Sequence, residues 1–183
     1  ATRQSFDRGE TQFEDVAKGV ASASPDVVFF AVHATEGLAV SSAIREAGVT
    51  APFLGTDGLK TSFFLGGGEQ DAEAYHTHSG ADFRRLETAK DFREAYVERW
   101  PEDSTYSAEA YDSAMIIVES LARAGEVSRE KVFAEFQALD RYEGITGTVR
   151  FDAHGEREDS PVSWYKVQKT DSGKVMEYQG TVS

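Results

Sequence analysis

The chain has 183 residues, 40% of them hydrophobic and 28% charged, which is ordinary for a globular protein and allows one domain or two small lobes. A formal net charge of −13 argues against a nucleic-acid partner, because the phosphates would be repelled. There is no cysteine, which excludes a disulfide framework, a thiolate zinc site and a thiol nucleophile. 

The chain opens at Ala1 without an initiator Met or a visible signal peptide, and is expected to be a piece of something longer. Thr11-Gln12-Phe13-Glu14 has the pattern of a capping box, and Phe13, Val16, Ala17 and Val20 follow at helical spacing. Ser24-Pro25-Asp26 breaks that helix. Val27 to Val32 is a continuous apolar run, far too short to cross a membrane and suited to a strand buried on both faces of a parallel sheet. His33 to Gly37 ends it. A helix is predicted from about Glu36 to Ala47, with Leu38, Val40 and Ile44 inward and Gly48 just beyond its end. Pro52-Phe53-Leu54 is then a short strand, and Gly55-Thr56-Asp57-Gly58 a polar turn in which glycines permit sharp backbone geometry.

This β-α-β-α-β order with short connections predicts parallel strands and right-handed crossovers. His33 and Asp57 both follow strands, so both belong on the carboxyl edge, where open α/β sheets bind ligands. Asp57 either meets a ligand there or caps the next helix through its side chain.

Leu59 to Leu65 reads as a short helix stopped by Gly66-Gly67-Gly68, and Glu69 to Tyr75 as a second short turn or helix. Tyr75 to Ala81 reads as a strand with His76 and His78 on one face. Helices are expected over Thr88–Trp100, with Phe92, Tyr96 and Val97 as the apolar stripe, and over Ser107–Ala124, with Ala110, Tyr111, Ala114, Ile117, Val118 and Leu121 inward. A third, capped by Ser128, runs from about Arg129 to Leu139. Gly144 to Asp152 reads as a turn and strand, and Val162–Lys169 with Lys174–Gln179 as a hairpin.

Few patterns carry chemistry. The glycine triplet lacks the Lys-Ser/Thr of a phosphate loop. His76-x-His78 offers two imidazoles without a third ligand, and reads instead as exposed strand polarity. No Gly-x-Ser-x-Gly elbow is present, so no serine nucleophile is read. Glu36 and Asp57 remain as anions suited to a cation such as an ammonium group, although Glu36 also suits the positive end of its own helix.

Five stretches, in order, resemble the type 1 periplasmic solute-binding proteins of the branched-chain amino-acid class. Pro25-Asp26-Val27-Val28-Phe29-Phe30 is similar to that family's buried strand, and Ile44-Arg45-Glu46-Ala47-Gly48 to the close of its next helix. Phe53-Leu54-Gly55-Thr56-Asp57-Gly58 is similar to its ligand loop, and Ala110-Tyr111-Asp112-Ser113-Ala114 to its long-helix signature. The most specific likeness is Gly144-Ile145-Thr146-Gly147-Thr148-Val149-Arg150-Phe151-Asp152-Ala153-His154-Gly155, to a Gly-x-Thr-Gly-x-x-x-Phe-Asp-x-x-Gly motif. Gly9-Glu10-Thr11-Gln12-Phe13 adds a looser one, since Asp more often precedes the Phe.

The resemblance implies an α/β periplasmic-binding-protein type I fold, here its C-terminal half. It places 1–82 in lobe two, 83–158 in a helical part of lobe one, and 159–183 in a closing hairpin that returns to lobe two. It implies a receptor for an amino acid or similar metabolite that serves the membrane permease of an ABC transporter, outside the cytoplasm and with or without a lipid anchor. A sensor of the same fold is the alternative; an enzyme using His33 with Glu36 or Asp57 is a further one. By position, Asp57 would meet the ligand's α-ammonium, beside Thr56 and Gly58. His33 stands where an aromatic commonly lines the pocket, which speaks against a purely aliphatic ligand and allows a more polar one. Glu36 lies nearby and Tyr106 would border the cleft from lobe one. No metal and no cofactor are implied. Splitting lobe one should expose the apolar face of Tyr111 to Leu121, to be covered by the missing N-terminal half or by self-association.

Overall fold

A computed structural model describes residues 1–60, 73–100, 106–171 and 173–182. The chain divides into two compact units, one formed by Ala1–Ser79 with Ser163–Thr181 and the other by Gly80–Val162, which Val182 rejoins.

The first unit begins with helix α1 (Glu14–Ala23), which buries Ala17 and Val20. Its cap position is held by Phe13 without a side-chain cap bond, so the capping box read at Thr11 and Glu14 does not form. Phe13 is instead buried, with its ring edge-on to Phe6 at 4.9 Å between centroids. Burying this ring removes more apolar area from water than one cap bond could offset. Strand β1 (Val28–Phe30) follows, then α2 (Ala34–Glu46), which buries Val40 and Ile44. The end of α2 is a Schellman turn: the Gly48 N–H donates to Arg45 O (2.9 Å), the Val49 N–H donates to Ile44 O (3.3 Å), and Gly48 takes φ +88°. Arg45 reinforces it, donating to Val49 O and Ala51 O while its guanidinium lies 3.5 Å from the Phe53 ring centre. These contacts give the Ile44–Gly48 motif a structural role.

Strand β2 (Phe53–Gly55) leads into a 3-10 turn, Asp57–Leu59, and β3 spans Ala74–Ser79. The predicted helix beyond Leu59, the glycine triplet and most of the Glu69–Tyr75 turn lie outside the described residues. Strands β6 (Val162–Thr170) and β7 (Gly173–Val182) complete a five-stranded sheet of order β1-β2-β3-β6-β7. The pairs β1–β2 and β2–β3 are parallel, in the register Val28↔Phe53↔Ala74 and Phe30↔Gly55↔His76. Phe30, Phe53, Ala74 and Val167 on one face pack with α1 and α2 into the main core.

The opposite face departs from expectation. The apolar run from Val27 suits burial on both sides, yet only Val28–Phe30 is strand and Phe29 is 62% exposed. Both helices lie on the other side. His76 and His78 also depart: they point into the covered face and are almost fully buried, instead of being exposed strand polarity.

In the second unit, two 3-10 turns (Phe83–Arg85 and Glu87–Ala89) precede α3 (Lys90–Arg99), which is followed by α4 (Ser107–Ala124) and α5 (Arg129–Gln137). Gly125 at φ +70° closes α4, and the Ser128 hydroxyl accepts from the Lys131 N–H at the start of α5. A two-stranded ribbon, β4 (Tyr142–Gly144) and β5 (Gly147–Val149), packs by its turn on α4. The link is Asp112. Its buried carboxylate accepts from the Ile145 N–H (2.9 Å), the Thr146 N–H (2.8 Å) and the Thr146 hydroxyl (2.6 Å). Gly144 has no room for a side chain, because a Cβ there would strike the Asp112 carboxylate. Arg157 donates to the Thr146 hydroxyl (3.0 Å) and carbonyl (3.2 Å) from the far side. Downstream, Asp152 accepts from the His154 and Glu156 N–H groups to form a tight turn that Gly155 completes at φ +84°. The two most specific motifs of the sequence are therefore a helix-to-turn clamp and a turn.

The predicted inward face of α4 is also reversed. Ala108, Asp112, Ile116 and Ser120 are buried, whereas Tyr111, Ile117, Val118 and Leu121 are exposed. On α3, Phe92 and Tyr96 are half-buried and Val97 is exposed.

Replacing Asp112 by Ala should remove all three acceptor contacts and destabilise the second unit by about 2–4 kcal/mol. Asp112→Asn, which keeps an acceptor oxygen, should lose less. Chemical denaturation of the two variants checks this, and equal losses would count against a charge-assisted clamp. A second expectation concerns His76, which burial pushes down to about 4 from its ordinary 6.5. The neutral ring is favoured in the fold, so its contribution is present above pH 6.5 and is lost as pH falls toward 4. The fold should lose about 2 kcal/mol between pH 7 and pH 5 through this residue. His76→Gln should flatten that part of the stability-pH curve.

Candidate functional site

Parallel register brings the carboxyl ends of β1 and β2 side by side, at Phe30 and Gly55. Beyond Phe30 the chain reaches His33, which is exposed, extended (φ −85°, ψ 163°) and immediately precedes α2. Beyond Gly55, the Thr56 N–H donates to Phe30 O at 3.1 Å, which ties the second loop back onto the first strand. Asp57 opens the 3-10 turn, and the turn is closed by Leu59 N–H to Thr56 O (3.0 Å) and Lys60 N–H to Asp57 O (2.9 Å). Thr56 holds the cap position of this turn without a side-chain cap bond.

Two close approaches fix these loops. A Cβ on Gly58 would lie 2.7 Å from Val32 O and 3.8 Å from the His33 Cα, so the Asp57 loop rests directly on the His33 loop. Leu59, 1% exposed, fills a slot that exists because positions 37 and 55 are glycine; a Cβ on either would strike its side chain. Leu59 and Gly37 were not singled out by the sequence reading. The signal that could have found them is the glycine spacing itself, one glycine in the first turn of α2 and two flanking Thr56-Asp57.

His33, Thr56, Asp57 and Gly58 thus share one edge, with the last three half-buried. Glu36 lies in the first turn of α2. Its own backbone N–H, and then the Gly9 N–H at 3.0 Å, hold its carboxyl below the usual carboxylate range; the charges of Arg8 and His33 act the same way, against some opposition from burial. Its carboxylate is engaged with the helix start and with the segment ahead of α1. Tyr106 belongs to the second unit, where it stands 39% exposed in the residue before α4. Among the described residues no group of three or more His, Asp or Glu side chains is placed to hold a metal ion. Lys60, just past the turn, is buried with its ammonium 4.6 Å from the Tyr165 ring centre.

The edge therefore carries Thr56 and Asp57 on a loop whose backbone rests against that of Val32 and His33, held by a packed core. That arrangement can pair with a cationic group and accept hydrogen bonds.

Known proteins share this arrangement of elements. A profile described as periplasmic binding protein matches residues 2–174. The Leu/Ile/Val-binding protein homolog 3 of Brucella melitensis is 24% identical over 168 residues, which is 92% of this chain and 45% of that protein. Among solved structures, a leucine binding protein, LivK, from Thermotoga maritima superposes with a TM-score of 0.84 at 23% identity, over 97% of this chain and 50% of its own. A solute binding protein of an ABC transporter from Rhodopseudomonas palustris, in complex with 3,4-dihydroxy benzoic acid, superposes with a TM-score of 0.72 at 17% identity, over 94% of this chain and 49% of its own. The chain spans about half the length of each. With a profile match running nearly end to end and the same α/β architecture, the chain belongs to the periplasmic binding protein family.

Proposed function

We propose that this chain supplies one jaw of the ligand cleft of an ABC-transporter solute receptor, and that the ligand is an amino acid or a related small metabolite. The observation that carries the reading is the contact between the Asp57 and His33 loops at the carboxyl edge of a parallel sheet. Asp57 pairs with the ligand's ammonium group, and Thr56 supplies a hydroxyl beside it. A half-buried carboxylate gains more from such a pair than an exposed one, because less water screens it. His33 adds a side chain that hydrogen-bonds as well as stacks, which favours a ligand with polar character beyond its ammonium. Glu36 lies nearby in the first turn of α2, with its carboxylate accepting from the Gly9 N–H. Tyr106, exposed in the residue before α4, is the second unit's candidate for ligand contact.

The work is binding and release rather than bond chemistry. Ligand stabilises a closed arrangement of the lobes, which a membrane permease recognises. The receptor acts outside the cytoplasm, in the periplasm or at the cell surface. The names of the relatives support an amino acid; the dihydroxybenzoate complex of a more distant neighbour widens the class to other small solutes.

Calorimetric titration of amino acids into a two-lobed receptor containing this chain tests the role of Asp57. Asp57→Asn should weaken binding of the best amino acid by about tenfold to a hundredfold. The analogue lacking the α-ammonium should bind the native and altered proteins equally poorly. Unchanged amino-acid affinity in Asp57→Asn would remove Asp57 from the site. Gly58→Ala should separate the two loops and weaken the same ligand by at least as much, in a protein whose far-UV circular dichroism stays native.

A further inference from the structure

The covered face of the first unit's sheet changes character along its strands. At the amino ends of β2 and β3 it is apolar, with Phe53 and Ala74 in the main core. Toward the carboxyl end of β3 it turns polar. His76 and His78 are 1% and 2% exposed, and Tyr165 of β6, on the same side as the core residue Val167, is fully buried. Lys60, which follows the Asp57 turn, is buried in the same layer with its ammonium against the Tyr165 ring.

The His76 ring reaches the turn through one position. A Cβ on Gly55 would lie 2.9 Å from His76 Nδ1 and 2.6 Å from Leu59 Cδ1, so the ring and the Leu59 side chain meet over that glycine. Leu59 seats the turn that Asp57 opens, and the turn itself is closed by only two backbone bonds, Leu59 N–H to Thr56 O and Lys60 N–H to Asp57 O. Among the described residues, the titratable groups facing His76 are His78 on its own strand, Lys60 after the turn, the Tyr165 phenol of β6 and, one pair along the sheet, Arg45 of α2 over the Phe53 ring. Helix α1 contributes only Ala17 and Val20. Lys60 and Arg45 are standing cations. A charged His76 adds another positive charge to a layer closed to water, where like charges repel strongly.

We infer that His76 is a pH switch on the Asp57 loop: its protonation unseats the Leu59 turn, lets water reach the ring and withdraws Asp57 from the sheet edge. The turn is the element that yields, because it is three residues long while the strands and helices around it are held by ladders and packed cores. A neutral ring, above pH 6.5, leaves the turn seated; as pH falls toward 4 the charged ring favours the unseated turn. With a hydrated ring titrating at its ordinary 6.5 and the buried one at about 4, the ratio of unseated to seated turn rises by up to about twentyfold between pH 7 and pH 5. Release of ligand on acidification, as a consequence, rests on the reading of Asp57 as a ligand contact; the movement of the turn does not.

Heteronuclear NMR on a two-lobed receptor containing this chain, titrated from pH 7 to pH 4 without ligand, provides the test. The amide resonances of Gly58, Leu59 and Lys60 should shift together while the protein stays folded, with one midpoint between pH 4 and pH 6.5, and the His76 ring carbons should titrate with the same midpoint. In His76→Gln the shared shift should vanish; His76→Leu stands in if the first variant does not keep native far-UV circular dichroism. In His33→Gln, which removes the exposed imidazole before α2, the shift should persist. Amides that stay still until the chain unfolds would reduce His76 to a packing residue and overturn the switch. So would a shift that survives in the His76 variant, one lost in His33→Gln, or a His76 ring that titrates apart from the turn. No ligand enters the measurement, so a failure of Asp57→Asn to weaken binding bears on the site and leaves this result standing.

Discussion

The parallel alignment of β1, β2 and β3 is the constraint on which the first unit depends. Strands in the same direction end on the same edge, so the residues after Phe30 and after Gly55 emerge as neighbours. The same alignment sorts side chains by face. Phe30, Phe53 and Ala74 point to the helices, and Phe29, Leu54 and Tyr75 point away. One backbone arrangement thus determines both where a ligand could be met and which surface stays open. The glycines at 37, 55 and 58 make the edge precise: they admit Leu59 and let one loop rest on the other. A side chain at any of them would push apart the groups the edge brings together.

The carboxylates show how partners separate structural acids from candidate ligand acids. Asp112 is buried and accepts three hydrogen bonds from one turn, which makes it a clamp between α4 and the β4–β5 ribbon. Asp152 likewise organises its own turn. Glu36 is exposed to more water, yet its oxygens are directed at the start of α2 and at Gly9. Asp57 differs in placement, at the first position of a short turn past a parallel strand, where its carbonyl accepts from the Lys60 N–H. Sequence motifs that look most family-specific need not lie at the sheet's carboxyl edge. Here the Gly144–Gly155 motif preserves a fold element, and the briefer Phe53–Gly58 segment reaches the edge.

The α/β character, the parallel strands and the bounds of α4 are legible in the residues, because periodicity and turn glycines act locally. The end of α2 is equally readable, since Gly48 supplies a left-handed conformation that other residues adopt at a cost. The capping box at Thr11 is not, because burial of Phe13 outweighs it. His76 and His78 were polar letters in a strand, and polarity alone does not reveal which face a strand turns to the core. The contact of Gly58 with Val32 O joins positions far apart in sequence, which no local pattern encodes.

The reversed face of α4 and the exposed Phe29 have a common physical origin. An apolar stripe records every surface a residue meets in the complete assembly, whereas the structure of one chain displays only the layers that chain supplies. Where stripe and burial agree, as for Val40 and Ile44 of α2, the covering layer is present. Where they disagree, as for Ile117, Val118 and Phe29, the sequence still carries the requirement for a layer. The buried residues of α4 make the same point from the other side. Asp112 and Ser120 are poor choices for an ordinary apolar core, and Asp112 is tolerated because the turn at Ile145 and Thr146 satisfies it. The helix thus meets a polar turn on its buried side and carries an apolar stripe on the other, which stays exposed among the described residues.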